Sequence, residues 1–170
     1  MFRVGDWVIY GHEGVCRVED IGHPSVPGLA PEREYYCLKP YYHAGTIYAP
    51  VDGKIVMRPV ISRSALDDLL PRLPELTVLD DVPQNGRQAG EYYRALLAEH
   101  SCERLLRLCK TLCAKQASLM HTRRSVSATD LRSWKAAEEM LYGEFGFVLG
   151  IERQRLARWR LGLGGEPGLV

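Results

Sequence analysis

The sequence predicts an α+β chain in two parts, an N-terminal five-stranded β-barrel followed by an all-α helical domain. Two observations predict it. Over roughly the first sixty residues the apolar side chains fall in short runs bounded by Gly and Pro, the pattern of strands and turns. From Glu91 onward they recur at spacings of three, four and seven, the pattern of amphipathic helices. A stretch rich in Pro, Gly and Asp, residues 71–90, separates the two periods and reads as the domain boundary. A chain of 170 residues can hold two small domains of this kind.

The first strand is Trp7-Val8-Ile9-Tyr10, turned by His12-Glu13-Gly14 into a second, Val15 to Ile21. Gly at the borders of two β-rich runs marks a strand pair with a tight connection. An opening Gly5-Asp6-x-Val8-x-Tyr10 followed by a small-residue turn is typical of SH3-like or Tudor-like barrels. His23 to Pro31 holds three prolines and a glycine, which exclude helix and central strand. Glu34 to Pro40 is the third strand, Thr46-Ile47-Tyr48-Ala49 the fourth, and Ile55 to Val60 the fifth, after the turn at Asp52-Gly53. Five short strands with such turns predict a small closed barrel.

Ser62 or Ser64 can cap a short helix that carries Leu66, Leu69 and Leu70 and stops at Pro71 and Pro74. Tyr92, Tyr93, Leu96 and Leu97 form the apolar side of the next helix, which ends near His100. Cys102, Leu105, Leu106, Cys109, Leu112, Cys113 and Met120 line a third. Ser127-Ala128-Thr129-Asp130 reads as the capping box of a fourth, with Trp134, Ala137, Leu141, Phe145 and Val148 in one stripe. The expected layout is 1–62 for the barrel, 63–83 for a short helix and linker, 84–160 for the helical domain and 161–170 for a flexible tail.

The chemistry classes narrow quickly. There is no Walker loop, no G-x-G-x-x-G and no G-x-S-x-G, so no catalytic residue is expected and the chain does not read as an enzyme. Cys102, Cys109 and Cys113 stand where their helix needs apolar residues and lack a C-x-x-C pair. They are expected to be buried thiols, with no metal and no cofactor. The N-terminus leads straight into a strand, and no apolar run approaches the ~20 residues of a membrane span. A cytoplasmic protein with reduced thiols is the expectation.

Charge is distributed unevenly. The whole chain carries a formal +1. Residues 82–135 hold ten Lys/Arg against four Asp/Glu, a net of +6. Such a segment attracts phosphates, and an ordinary solvated helix face carries the same signature. The cations are Arg87, Arg94, Arg104, Arg107, Lys110, Lys115, Arg123, Arg124, Arg132 and Lys135. Arg123-Arg124 precedes a helix N-terminus, whose N–H groups also favour phosphate. Candidate DNA-binding residues are Arg87, Arg94, Arg104, Arg107, Arg123, Arg124, Arg132 and Lys135.

Met1 to Val15, Tyr35 to Pro40, Ala49 to Asp52, Val56 to Ser62 and Leu141 to Phe145 follow one another as in the CarD/CdnL family of bacterial transcription regulators, which the chain resembles. The resemblance implies a barrel that docks on the RNA polymerase β subunit and a helical domain that meets promoter DNA. It implies Pro24, Val26, Thr46, Ile47, Tyr48 and Ala49 as the polymerase-facing set, with 46–49 as the exposed edge. The family's wedge tryptophan falls at Ala89 in this chain, four residues before Tyr93, and a basic residue common in the family's polymerase-facing strand falls near Tyr48. The expected protein is a monomeric regulator of transcription initiation with mainly phosphate contacts to DNA. An adaptor that docks on polymerase or another partner without productive DNA contact is the alternative.

Overall fold

A computed structural model describes residues 1–120 and 123–152, together with Arg155. The expected tail 161–170, the segment 153–160 apart from Arg155, His121 and Trp159 lie outside the described residues. The chain divides into two compact units, Met1–Val60 and Ile61 onward.

The first unit is an antiparallel sheet of β1 (Trp7–Tyr10), β2 (Gly14–Gly22), β3 (Tyr35–Pro40), β4 (Ile47–Pro50) and β5 (Met57–Pro59). Its order is β4-β3-β2-β1-β5. A 3-10 turn, Gly11–Glu13, joins β1 to β2. Gly11 has φ +43, and a Cβ there would lie 2.8 Å from Ile55 Cγ2, so both backbone and space require glycine. Alternation places Val8, Tyr10, Cys16, Val18, Tyr36, Leu38 and Ala49 in one core. A register shift between Val18 and Asp20 bulges β2 and helps the sheet curl.

The expected closed barrel is an open ladder here. Among the described residues no pairing joins β4 to β5. Both strands are short, four and three residues, and Pro50 and Pro59 bring no N–H to a ladder. Phe2, Tyr10, Tyr36, Val51 and Met57 line the seam with side chains instead.

The second unit contains α1 (Arg63–Leu69), a 3-10 turn Leu70–Glu75, α2 (Gly86–Glu99), α3 (Cys102–Met120) and α4 (Ala128–Leu149). Ser62 caps α1, its side chain accepting from Ala65 N at 3.1 Å. α4 is the central helix. Tyr142 to Gly146 are buried without interruption because α1, α2 and α3 all pack on it. Gly150 ends it at φ +68.

The structure differs from the sequence reading at 63–83. These residues are not a linker: Leu66, Leu69, Leu76 and Leu79 are buried in the helical core. The 3-10 turn ends at Glu75, so the carbonyls of residues 73–78 have no continuing helix to bond, and α3 supplies the donors. Lys110 Nζ donates to Pro74 O at 2.8 Å and Leu73 O at 3.4 Å. The Arg107 guanidinium reaches Thr77 O and Val78 O, and Leu79 N donates to Thr111 Oγ1 at 2.8 Å. Asn85-Gly86 is likewise no mere turn. The Asn85 side chain accepts from Arg87 N and Gln88 N and starts α2 five residues before Glu91, where the helical period becomes visible.

Candidate functional site

The sheet has two edges, β4 and β5. Val51 N donates to Glu34 O, so the bonded pairs of the β3–β4 ladder are Tyr36 with Ala49 and Leu38 with Ile47. The backbone groups of Tyr48 therefore face away from β3, onto an open edge. At the other edge Val60 N donates to Trp7 O, so Met57 and Pro59 face outward there. Pro59 has no N–H, and the Arg58 guanidinium takes its carbonyl at 2.9 Å, as Gly53 N takes that of Pro50 on β4. Tyr48 on β4 and Met57 on β5 are thus the positions where another strand could pair, and β4 is the edge that the family resemblance marks.

The sequence-derived set divides around that edge. Ile47 and Ala49 turn into the core, Ala49 with 1% exposure. Tyr48 and Pro24 line a cavity of about 170 Å³ with Asp20, Gly22, His23, Tyr35 and Cys37. Cross-strand register puts Asp20, Cys37 and Tyr48 in one row on the outer face. Burial raises the Cys37 thiol pKa, and the charges of Asp20 and Glu19 raise it further. Val26 folds back in a turn, its N–H on Pro24 O, and does not line this cavity. Thr46 is exposed at the start of the edge.

The ten cations of residues 82–135 also divide. Arg104 bonds Glu99 and the Tyr92 hydroxyl, and Tyr92 in turn donates to Asp81 at 2.6 Å. Arg107 and Lys110 hold the 73–78 strap. Lys115 Nζ donates to the buried Asp130 at 2.9 Å. These four do structural work that composition could not reveal. Arg87, Arg94 and Arg132 instead line one groove of about 490 Å³ between α2 and α4, with Gly86, Gly90, Leu97, Thr129, Ser133 and Ala136. Spacings of three, four and seven along each helix bring these residues onto facing stripes. Gly90 permits the approach: a Cβ there would stand 3.1 Å from Thr129 Cγ2.

Arg123 and Arg124 are exposed, but the helix start beside them is already occupied. Asp130 accepts from Ser127 N and Ser127 Oγ, and Ser127 Oγ accepts from Asp130 N. The capping box thus supplies its own carboxylate to the α4 N-terminus. Lys135 is exposed and lies outside the groove. Ala89, at the wedge position, is buried in the helical core. Trp134 is half-buried, its indole donating to Glu138 at 3.0 Å.

Two features were missed by the sequence reading. The Glu144 carboxylate is 3% exposed and accepts from Ile61 N at 2.8 Å and from the Cys102 thiol at 3.2 Å. Arg123 sits at φ +55, in the left-handed region that glycine prefers. Of the three helical cysteines expected to be buried, Cys109 is fully so, while Cys102 and Cys113 are half-buried. Burial pushes the Cys109 thiol far up, with Glu138 adding to it. Among the described residues no group of His, Cys, Asp and Glu forms a metal set, and no helix is long and apolar enough to cross a membrane.

An open antiparallel sheet with unpaired edges at β4 and β5 has the geometry of a domain that can accept a further strand. Residues 2–61 match the family described as CarD-like/TRCF RID domain. Over these residues the chain is similar to the RNA polymerase β-interacting domain of CarD-like proteins. The matched span ends at residue 61, and the similarity read at Leu141 to Phe145 lies beyond it. No curated protein matches the chain.

Proposed function

We propose that the chain is a cytoplasmic, monomeric regulator of transcription initiation. It binds the RNA polymerase β subunit through the first unit and promoter DNA through the helical unit. The open β4 edge within a CarD-like/TRCF RID domain is the observation that carries this reading. The sheet, curled by its bulge, is open where an SH3/Tudor-like barrel would close, and an incoming strand pairs with Tyr48 at its β4 edge. The DNA contacts come from exposed cations with at most a partner on their own helix: Arg94, which donates to Gly90 O, and Arg132 in the groove, joined by Arg87, which pairs with Glu91, with Arg123, Arg124 and Lys135 as outlying phosphate contacts. Arg104 and Arg107 contribute to the fold rather than to DNA. With Ala89 buried at the wedge position, binding depends on charge more than on insertion.

The adaptor reading keeps one observation in its favour, that Arg104, Arg107, Lys110 and Lys115 all spend their charge inside the unit. Capture of polymerase by the full chain, with and without promoter DNA, separates the two. The regulator holds both together, and the adaptor gains nothing from promoter DNA. Arg132→Ala lowers the salt slope of DNA binding by about one while leaving the fold intact. Arg107→Ala leaves the slope unchanged and lowers stability by about 1 kcal/mol. DNA binding that responds to Arg107 and ignores Arg132 sinks this division of the cations.

A further inference from the structure

The α2–α4 groove is more than a row of charges. Its rim carries Arg94 and Arg132, but its floor includes Leu97 and Ala136, with the Ser133 side chain between the arginines' helices. Leu97 is 9% exposed and Ala136 half-buried. At about 490 Å³ the space is large enough for a nucleoside, and it lies open to solvent as a groove that a strand can cross. A duplex offers only phosphates to such a place, because its bases are stacked and their faces are covered. Phosphates need donors and gain nothing from an apolar floor. A nucleotide with an exposed base satisfies both parts: the base leaves water on the floor, a guanidinium plane can stack on it, and a second arginine takes the phosphate.

We propose that the groove between α2 and α4 binds an unstacked nucleotide, with its base over Leu97 and Ala136 and stacked by one of Arg94 and Arg132, and its phosphate on the other. This deepens the reading of the helical unit as DNA-binding and rests on it. The shared chemistry is a phosphorylated nucleoside, supplied by a single strand or by a free nucleotide. Arg87 adds charge at the mouth, where Glu91 partly offsets it at 3.3 Å.

The test uses the full chain with labelled oligothymidine, a duplex of equal length, and ATP as competitor. Ala136→Leu fills the floor and leaves every arginine in place. It lowers oligothymidine affinity about tenfold, the scale of one lost base contact, and leaves duplex affinity unchanged. Displacement by ATP at concentrations comparable to the oligonucleotide makes a free nucleotide the source, and failure to displace makes it a strand. In the unaltered protein, Leu97 methyl resonances shift with oligothymidine and not with duplex, a readout independent of how the variant folds. Equal loss for strand and duplex in Ala136→Leu, or an unmoved Leu97 methyl, overturns the nucleotide groove while duplex binding still upholds the DNA-binding reading. Absence of binding to strand and duplex alike at low salt overturns both.

Discussion

Asp130 shows how one residue can be spent several times. Its carboxylate accepts from Lys115 Nζ, Ser127 N, Ser127 Oγ and the Tyr93 hydroxyl, the last at 3.1 Å. Burial raises its pKa, but the hydrogen bonds from Lys115 and Ser127 outweigh this, so the net shift is downward. Burial and the Asp130 charge push the Tyr93 hydroxyl well up, which keeps it a donor. A depressed carboxylate pKa stabilises the fold above the unfolded value, near 3.8, and loses that contribution as pH falls through the lower folded value. Asp130→Ala is expected to cost about 2 kcal/mol in urea unfolding at neutral pH, the sum of a lost cap and lost buried bonds. The difference between variant and parent should shrink below about pH 4. Arg123 gives the opposite sign. At φ +55 its side chain strains the backbone, so Arg123→Gly is expected to raise stability by about 0.5–1 kcal/mol in the same assay.

At the scale of elements, the two sheet edges share parity and proline. Each has one outward proline whose carbonyl is taken, Pro50 by Gly53 N and Pro59 by Arg58, and each leaves one residue's backbone pair facing out, Tyr48 on β4 and Met57 on β5, so proline at each position separates the two edges. Tyr48→Pro removes an outward N–H and no bond to β3, and edge positions tolerate proline best. It is expected to weaken polymerase capture at least about tenfold, the value of a lost main-chain bond or more, while the circular dichroism of the sheet is retained. Met57→Pro at the other edge should leave capture unchanged. Retained capture in Tyr48→Pro would remove β4 from the interface.

At the scale of the molecule, the unit boundary falls at Val60/Ile61, well before the Pro/Gly-rich stretch 71–90. Ile61 N is already bound to Glu144 and Leu66 is fully buried in the helical core. A fragment of residues 1–60 is therefore expected to fold and bind polymerase. A fragment ending at residue 75 carries Leu66 and Leu69 without their partners and should self-associate in sedimentation at concentrations where the shorter one is monomeric. The helical unit begun at residue 84 should melt lower than one begun at 61, since it lacks Leu66, Leu69, Leu76 and Leu79.

Local features were legible in the sequence. Strand alternation around Val8 and Val18, the capping box at Ser127 and Asp130, and the apolar stripe of Ala137, Leu141 and Phe145 are set by neighbours within a few residues, so a linear reading finds them. The family resemblance at residues 1–62 belongs with these, since it rests on contiguous turns and strands. What needed the tertiary structure is every choice among equivalent residues far apart in the chain. Ten cations look alike in the sequence, yet Arg107 and Lys110 meet carbonyls about thirty residues away while Arg94 and Arg132 converge on one groove. Glu144 reads as one more acid on a helix until Ile61, 83 residues away, binds it. The stretch 63–83 reads as a short helix and linker until α3 supplies donors to the carbonyls of Leu73, Pro74, Thr77 and Val78. Periodicity states which face of an element is apolar, but which partner satisfies a charge or a carbonyl is decided only by which elements pack together.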